Sequence, residues 1–137
     1  MRVVLDTNIF ISALINQLGS SHFLYELWKN GYFHLLTCEE QLDEFREATR
    51  YPKVRQYIQP IMAGAMLNEI KLLSIFITNL PKLRISPDPW DNYILAVALK
   101  GKANFIVTGD KSGLLEIKKF KQIKIVNPSQ MMRLIGH

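Results

Sequence analysis

The chain opens on Val3-Val4-Leu5-Asp6-Thr7-Asn8, and this stretch narrows the fold more than any other. Three consecutive apolar residues, two of them β-branched, read as a short strand buried on both faces, as in the middle of a parallel sheet. Ligand sites in open α/β sheets lie just outside the carboxyl ends of such strands. Asp6 stands at that end, with Thr7 and Asn8 beside it as hydroxyl and amide partners. On this stretch alone, capping of the helix that follows, Ile9 to Ile15, accounts for Asp6 or Asn8 equally well.

The rest of the chain alternates in the same way. Ser20 or Ser21 starts a helix that Asn30-Gly31 stops, with Phe23, Leu24, Leu27 and Trp28 on one face. Tyr32 to Leu36 is a second strand. Thr37 opens a capping box with Glu40, and the helix runs to about Arg50, because Pro52 disfavours helix at Tyr51. Pro60 opens a longer helix to about Phe76, with Ile61, Met62, Ala65, Met66, Ile70, Leu73 and Ile77 at helical spacing. Residues 79–85 are irregular. Pro89 suits a first helical position and makes Asp88 the N-cap of a helix ending at Lys100. Asn104 to Thr108 is a third strand, closed by Gly109-Asp110 just as the first is closed by Asp6. A short helix from Ser112 to Ile117, a basic surface segment Lys118–Gln122, a strand Ile123–Val126 and a C-terminal helix from Pro128 or Ser129 complete the chain. Strands alternating with helices predict a three-layer α/β/α sandwich around a four- or five-stranded parallel sheet.

The 137 residues suit a single domain, 1–137, long enough to bury a core. A single cysteine, Cys38, excludes an intrachain disulfide and fits a reducing, cytoplasmic setting; it starts a helix and has no partner chemistry. The first apolar segment is interrupted by Asp6, unlike a signal peptide, and no apolar run is long enough to cross a bilayer. A formal charge of +5 is compatible with a polyanionic partner. It also makes any gathering of carboxylates informative, since a basic protein that collects acids in one place has a cation for them.

Four acids fit such a gathering. Asp6 and Asp110 both end apolar strands and converge if those strands are neighbours. Asp91 lies in the first turn of the helix that feeds the Asp110 strand. Glu44 lies one turn beyond the capping box, flanked by Leu42 and Phe45. Close carboxylates raise one another's pKa values, and a divalent cation removes that cost. An all-oxygen set without clustered His or Cys favours Mg²⁺ or Mn²⁺ over zinc. Local explanations compete: capping accounts for Asp88, the helix dipole favours Asp91, and a solvated face suits Glu44.

With Leu5-Asp6-Thr7-Asn8, Glu44, Asp91-Asn92-Tyr93-Ile94-Leu95-Ala96 and Thr108-Gly109-Asp110 in this order, the sequence resembles PIN-domain proteins. The likeness is close to the VapC-type toxin ribonucleases and covers essentially the whole chain. The resemblance implies a metal-dependent endoribonuclease, often dimeric and often paired with a small antitoxin. It implies that Asp6, Glu44, Asp91 and Asp110 hold one or two Mg²⁺ or Mn²⁺ ions at the scissile phosphate of RNA. Glu40 is the replacement for Glu44, and Asp88 is auxiliary. Asn8 and Thr108 orient carboxylates or phosphate. Arg50, Lys53, Arg55 and Lys111 are candidates for holding flanking phosphates, whereas most of the Lys118–Lys124 group is ordinary solvated surface.

Two other readings compete. A haloacid-dehalogenase-like phosphatase also uses a strand-end Asp with Mg²⁺, but needs a second Asp two residues later, where this chain has Asn8. A non-catalytic RNA- or protein-binding domain that kept the fold predicts metal-independent binding and no cleavage. The apolar C-terminal helix and the helix from Ile61 offer more apolar surface than a small sheet covers, so a homodimer or a docked antitoxin is expected.

Overall fold

The computed structural model describes residues 1–109 and 113–136. Its sheet has six strands: β1 (Arg2–Leu5), β2 (His34–Thr37), β3 (Ile75–Phe76), β4 (Phe105–Val107), β5 (Lys119–Phe120) and β6 (Ile123–Val126). They lie in the order β3-β2-β1-β4-β6-β5, and only the β5–β6 pair is antiparallel. The opening apolar stretch therefore occupies the middle of the sheet, hydrogen-bonded to β2 on one side and β4 on the other. The chain leaves β1 towards β2 and later returns to its opposite edge as β4, so the strand order reverses at β1, where a crevice opens.

Eight helices complete the described chain: α1 (Thr7–Ile15), α2 (Ser20–Lys29), α3 (Glu39–Ala48), α4 (Pro52–Arg55), α5 (Pro60–Leu73), α6 (Pro89–Lys100), α7 (Gly113–Ile117) and α8 (Pro128–Ile135). Val3 and Leu5 pack with Phe10, Leu24, Phe45, Met66 and Met131, so α1, α2, α3, α5 and α8 cover one face of the sheet. Val4 packs with Ile94, Leu95, Ala98 and Leu114, so α6 and α7 cover the other. Alternate residues of one strand thus feed two cores, which is why β1 has no polar position between Arg2 and Asp6.

Four local expectations are corrected. Ile75 and Phe76 do not continue the helix but form β3, pairing with Leu36 and Thr37. Lys119 and Phe120 form a short edge strand, with Phe120 buried, instead of a solvated segment. With these two-residue strands the sheet has six members where four or five were expected. Thr37 does not cap α3: Cys38 is the N-cap, without a side-chain cap bond, and the buried Thr37 hydroxyl donates to Gln41 Oε1 at 2.7 Å. Two helices are also rotated from the expected faces. Tyr25 is buried in place of Phe23, and α5 buries Ala63, Met66 and Ile70 while Ile61 and Leu73 stay exposed. Cys38 itself is fully buried, and burial pushes its thiol up to about 12, so it stays protonated and unreactive.

Candidate active site

A pocket of about 240 Å³ opens at the carboxyl end of β1. Asp6, Glu44, Glu47, Asp88 and Asp91 line it, together with Asn8 and two aromatic side chains, Tyr51 and Trp90. No lysine or arginine lines it among the described residues. Three elements distant in sequence therefore deliver their acids to one place: the β1–α1 junction, α3 and the start of α6. On α3, Glu44, Glu47 and Ala48 share the face towards the pocket, at three- and four-residue spacing, while Phe45 turns into the core.

Each of the three predicted acids in the pocket has a hydrogen-bond partner. Asp6 is positioned as the N-cap of α1, yet its side chain makes no capping bond. Instead Oδ2 accepts from the Thr108 hydroxyl at 2.9 Å, across the junction of β1 and β4. The carboxylate is tied chiefly to Thr108, after β4, and only secondarily to the Thr7 backbone at the start of α1. Burial is the main cause that pushes Asp6 up to about 6; the Thr108 hydroxyl opposes the rise, and the negative charges of Glu44 and Asp91 add to it.

Glu44 Oε1 accepts from the Tyr93 hydroxyl at 2.9 Å. Tyr93 Oη also lies 3.4 Å from Thr7 Oγ1. Burial, and secondarily the charge of Glu44, keep the phenol well above its ordinary pKa, so it remains a donor. Asp91 is buried, and its Oδ2 accepts from the Ser86 hydroxyl at 2.9 Å. Ser86 is fixed in turn: its amide donates to Asn92 Oδ1 at 2.8 Å and its carbonyl accepts from Asn92 Nδ2 at 2.8 Å. Gly113, at the start of α7, lies so close to the Asp91 carboxylate that a Cβ there would collide with it. Asp88 caps α6 through the Trp90 amide at 3.0 Å, as its sequence context predicts, and still borders the pocket.

Glu40 does not line this pocket; it interacts with Cys38 instead. Asn8 is exposed at the rim, and Thr108 is buried on Asp6. Arg50 and Arg55 line a separate pocket beyond α3, and Lys53 is exposed on α4. Asp110 and Lys111 lie outside the described residues.

Several supporting groups escaped the sequence reading. The clearest is Gln41, buried at the first turn of α3, which donates to the Leu5 carbonyl at 2.6 Å and accepts from Thr37. It locks α3 onto the last residue before Asp6. Its signal was available: an amide one residue before Leu42 and four before Phe45 stands on the buried stripe, where a polar group needs a partner. Tyr93 and Ser86 gave no comparable signal, because the partner of Tyr93 is long-range and Ser86 itself lies in an irregular loop.

The donor set tests what could be held here. It is all carboxylate and hydroxyl oxygen, with neither imidazole nor thiolate at the pocket, which suits a hard divalent cation. A half-buried Asp6 beside two further carboxylates is the electrostatic situation that such a cation relieves. Among the described residues, no three His, Cys, Asp or Glu side chains converge closely enough to enclose an ion. The residues thus fit a divalent ion in kind, although they are spread around an open pocket and do not close on a single point.

A PIN domain model matches residues 2–112, most of the chain, and the chain belongs to the PIN-domain family, a family of nucleases. It is 31% identical over 128 residues to an uncharacterized protein of Methanocaldococcus jannaschii, covering 93% of this chain and 82% of that one. The fold is also similar to a chain in the crystal structure of VapBC2 from Rickettsia felis bound to a DNA fragment from their promoter. That match has a TM-score of 0.61 at 18% identity and covers 93% of this chain and 98% of the other. No helix among the described residues is long and apolar enough to cross a membrane.

Proposed function

We propose that the protein is a divalent-metal-dependent endoribonuclease that acts as the toxin of a toxin–antitoxin pair. The observation that carries the reading is the pocket itself: five carboxylates and, among the described residues, no lining cation at the end of the central strand, in a chain of net charge +5. Family membership supplies the nuclease class. The fold likeness to a VapBC2 chain supports an antitoxin partner.

In this reading Asp6, Glu44, Asp91 and Asp110 hold one or two Mg²⁺ or Mn²⁺ ions. A bound cation supplies charge neutralisation at the scissile phosphate and makes a water more acidic. The chain's own residues do the rest. Thr108 fixes the rotamer of Asp6, Tyr93 that of Glu44 and Ser86 that of Asp91, so the carboxylates need little reorganisation when the substrate arrives. Asn8, at the rim, donates to a phosphate oxygen, and Asp88 is auxiliary. Arg50, Lys53, Arg55 and Lys111 hold phosphates outside the acid pocket. The phosphatase alternative is set aside by the family, and the pocket presents the Asn8 amide where that chemistry needs an acid. A non-catalytic PIN-fold domain is the remaining rival.

The test is cleavage of a mixed RNA pool by purified protein, with Mn²⁺ and with EDTA, beside an Asp6→Asn variant. Mn²⁺-dependent fragments that the variant does not yield support the proposal. Equal cleavage by both proteins exposes a contaminant, and cleavage by neither leaves the binding-only domain as the better reading.

A further inference from the structure

The second pocket, of about 270 Å³, lies between the end of α3 and α5. Arg46, Arg50 and Arg55 line it, and no acid does among the described residues. The three guanidinium groups are not equivalent. Arg46 Nη1 is paired at 2.8 Å with Asp43, which is largely exposed. Arg55 Nε donates to the Thr49 carbonyl at 2.9 Å, which fixes the plane of its fork and leaves its other donors for a ligand. The Arg50 side chain has no hydrogen-bond or ion-pair partner among the described residues.

Cations near the end of a helix have an ordinary explanation in the helix dipole. That explanation does not reach the opposite wall. There α5 carries Gly64 in its interior, where glycine costs about 1 kcal/mol relative to alanine. A Cβ at Gly64 would meet nothing within 4 Å, so neither close packing nor a positive φ requires the glycine. What its missing side chain leaves is room in front of the arginines.

We infer that this pocket is a phosphate socket, in which Arg50 and Arg55, backed by Arg46 and given room by Gly64, hold an RNA phosphate remote from the bond that is cut. The inference rests on the ribonuclease reading and deepens it. The acid pocket repels a polyanion until cations neutralise it, so the strand needs an anchor elsewhere. Arginine forks match phosphate oxygens two at a time. The two pockets lie on opposite flanks of α3. Tyr51, which borders the acid pocket and is 57% exposed, adjoins Arg50 in the chain and marks the path between them.

The test is binding of a labelled, unstructured RNA oligonucleotide in EDTA, where no cleavage intervenes, over a series of salt concentrations. Gly64→Glu places a carboxylate in the socket at a helix position that prefers Glu to Gly, so the fold should be retained or stabilised. Expected is at least a 10-fold loss of RNA affinity. For a single strand, the slope of log K against log salt should also become shallower by about 0.7 for each phosphate the variant no longer neutralises. Arg50→Ala and Arg55→Gln should each show the same shallower slope. Gln122→Glu adds the same charge at an exposed turn and should do much less. Gly64→Ala should raise the melting temperature and keep RNA affinity.

Unchanged affinity and slope in Gly64→Glu overturns the socket. So does a polyglutamate peptide whose binding Gly64→Glu abolishes while RNA binding persists, which would make the pocket a protein-docking site. Mn²⁺-dependent cleavage by the wild type is scored separately, so a failed socket and a failed ribonuclease reading give different results.

Discussion

The Tyr93 hydroxyl donates to Glu44 Oε1 at 2.9 Å, tying the second turn of α6 to the middle of α3 beside the acid pocket. Two residues before Tyr93 is Asp91, and the same phenolic oxygen lies 3.4 Å from the Thr7 hydroxyl, one residue after Asp6. One side chain therefore touches all three elements that supply acids. The contact also favours Glu44 over Glu40 as the acid that α3 contributes, since Glu44 is the one held in a fixed rotamer at the pocket.

Tyr93→Phe should keep the ring, its edge-on contact with Trp90 and the fold, and lose only the hydrogen bond. Glu44 is half-buried, so water can replace the lost donor, and the stability cost should be about 1 kcal/mol. Loss of an orienting partner typically costs about 10- to 100-fold in metal affinity or activity. The measurements are urea unfolding and Mn²⁺ titration by calorimetry. An unchanged Mn²⁺ affinity would remove Tyr93 from the account of the site.

Gln41 should behave differently, because it is buried and bridges two buried groups. Gln41→Leu is close in volume but leaves the Leu5 carbonyl and the Thr37 hydroxyl without the partners they have here. The expected cost is about 2–3 kcal/mol, read as a lower urea midpoint with an unchanged slope. A loss under about 0.5 kcal/mol would mean that water replaces the amide at little cost.

The contrast between these residues shows what the sequence carried. Strand β1 was legible because Val3, Val4 and Leu5 must all be buried, and the end of such a strand is a ligand position in this architecture. Asp88 was legible because Pro89 leaves its cap geometry little choice. The misreadings share a cause, which is that local patterns are overridden by distant partners. Thr37 has the sequence of a capping box, but pairing of β2 with β3 keeps it in the sheet and turns its hydroxyl to Gln41. The apolar spacing of α5 admitted more than one buried face, and only packing against α3 chose between them. Tyr93 stood out only as part of the Asp91–Ala96 stretch, since its partner is 49 residues away.

The face that α5 leaves outside motivates a prediction about association. Ile61, Ala65, Asn68 and Leu72 recur at helical spacing and are all exposed, with Ile61 at 77% and Leu72 at 82%. Burying such side chains is worth about 1.5–3 kcal/mol each. We expect a homodimer through this stripe, and a monomeric Leu72→Lys variant, by sedimentation equilibrium. A wild type that stays monomeric at high concentration would refute the homodimer.

The raised pKa of Asp6 gives the last prediction, and its sign distinguishes a ligand from a structural acid. The carboxyl moves from 3.8 to about 6 on folding, chiefly through burial. Well below pH 3.8 the group is protonated in both states and costs nothing. As pH rises towards 6 the unfolded chain releases this proton while the folded chain keeps it, so stability falls. Above 6 the penalty is complete, at roughly 3 kcal/mol for about two pKa units, an upper figure for a group that is not fully buried. Asp6→Asn retains an oxygen for the Thr108 hydroxyl and has no such penalty. In EDTA the variant should therefore differ least from the wild type near pH 4 and become progressively more stable than it up to pH 7. Mn²⁺ should reverse the order at pH 7, because an ion bound only by the folded protein adds about 2.7 kcal/mol at 100-fold excess over Kd. That gain should be largely lost in Asp6→Asn and in Asp6→Ala. Thermal unfolding of the three proteins at pH 4, 5.5 and 7, each with EDTA and with Mn²⁺, reads both effects. A variant no more stable than wild type at pH 7 in EDTA, or one that gains as much from Mn²⁺ as the wild type does, would contradict the assignment of Asp6 as a cation ligand.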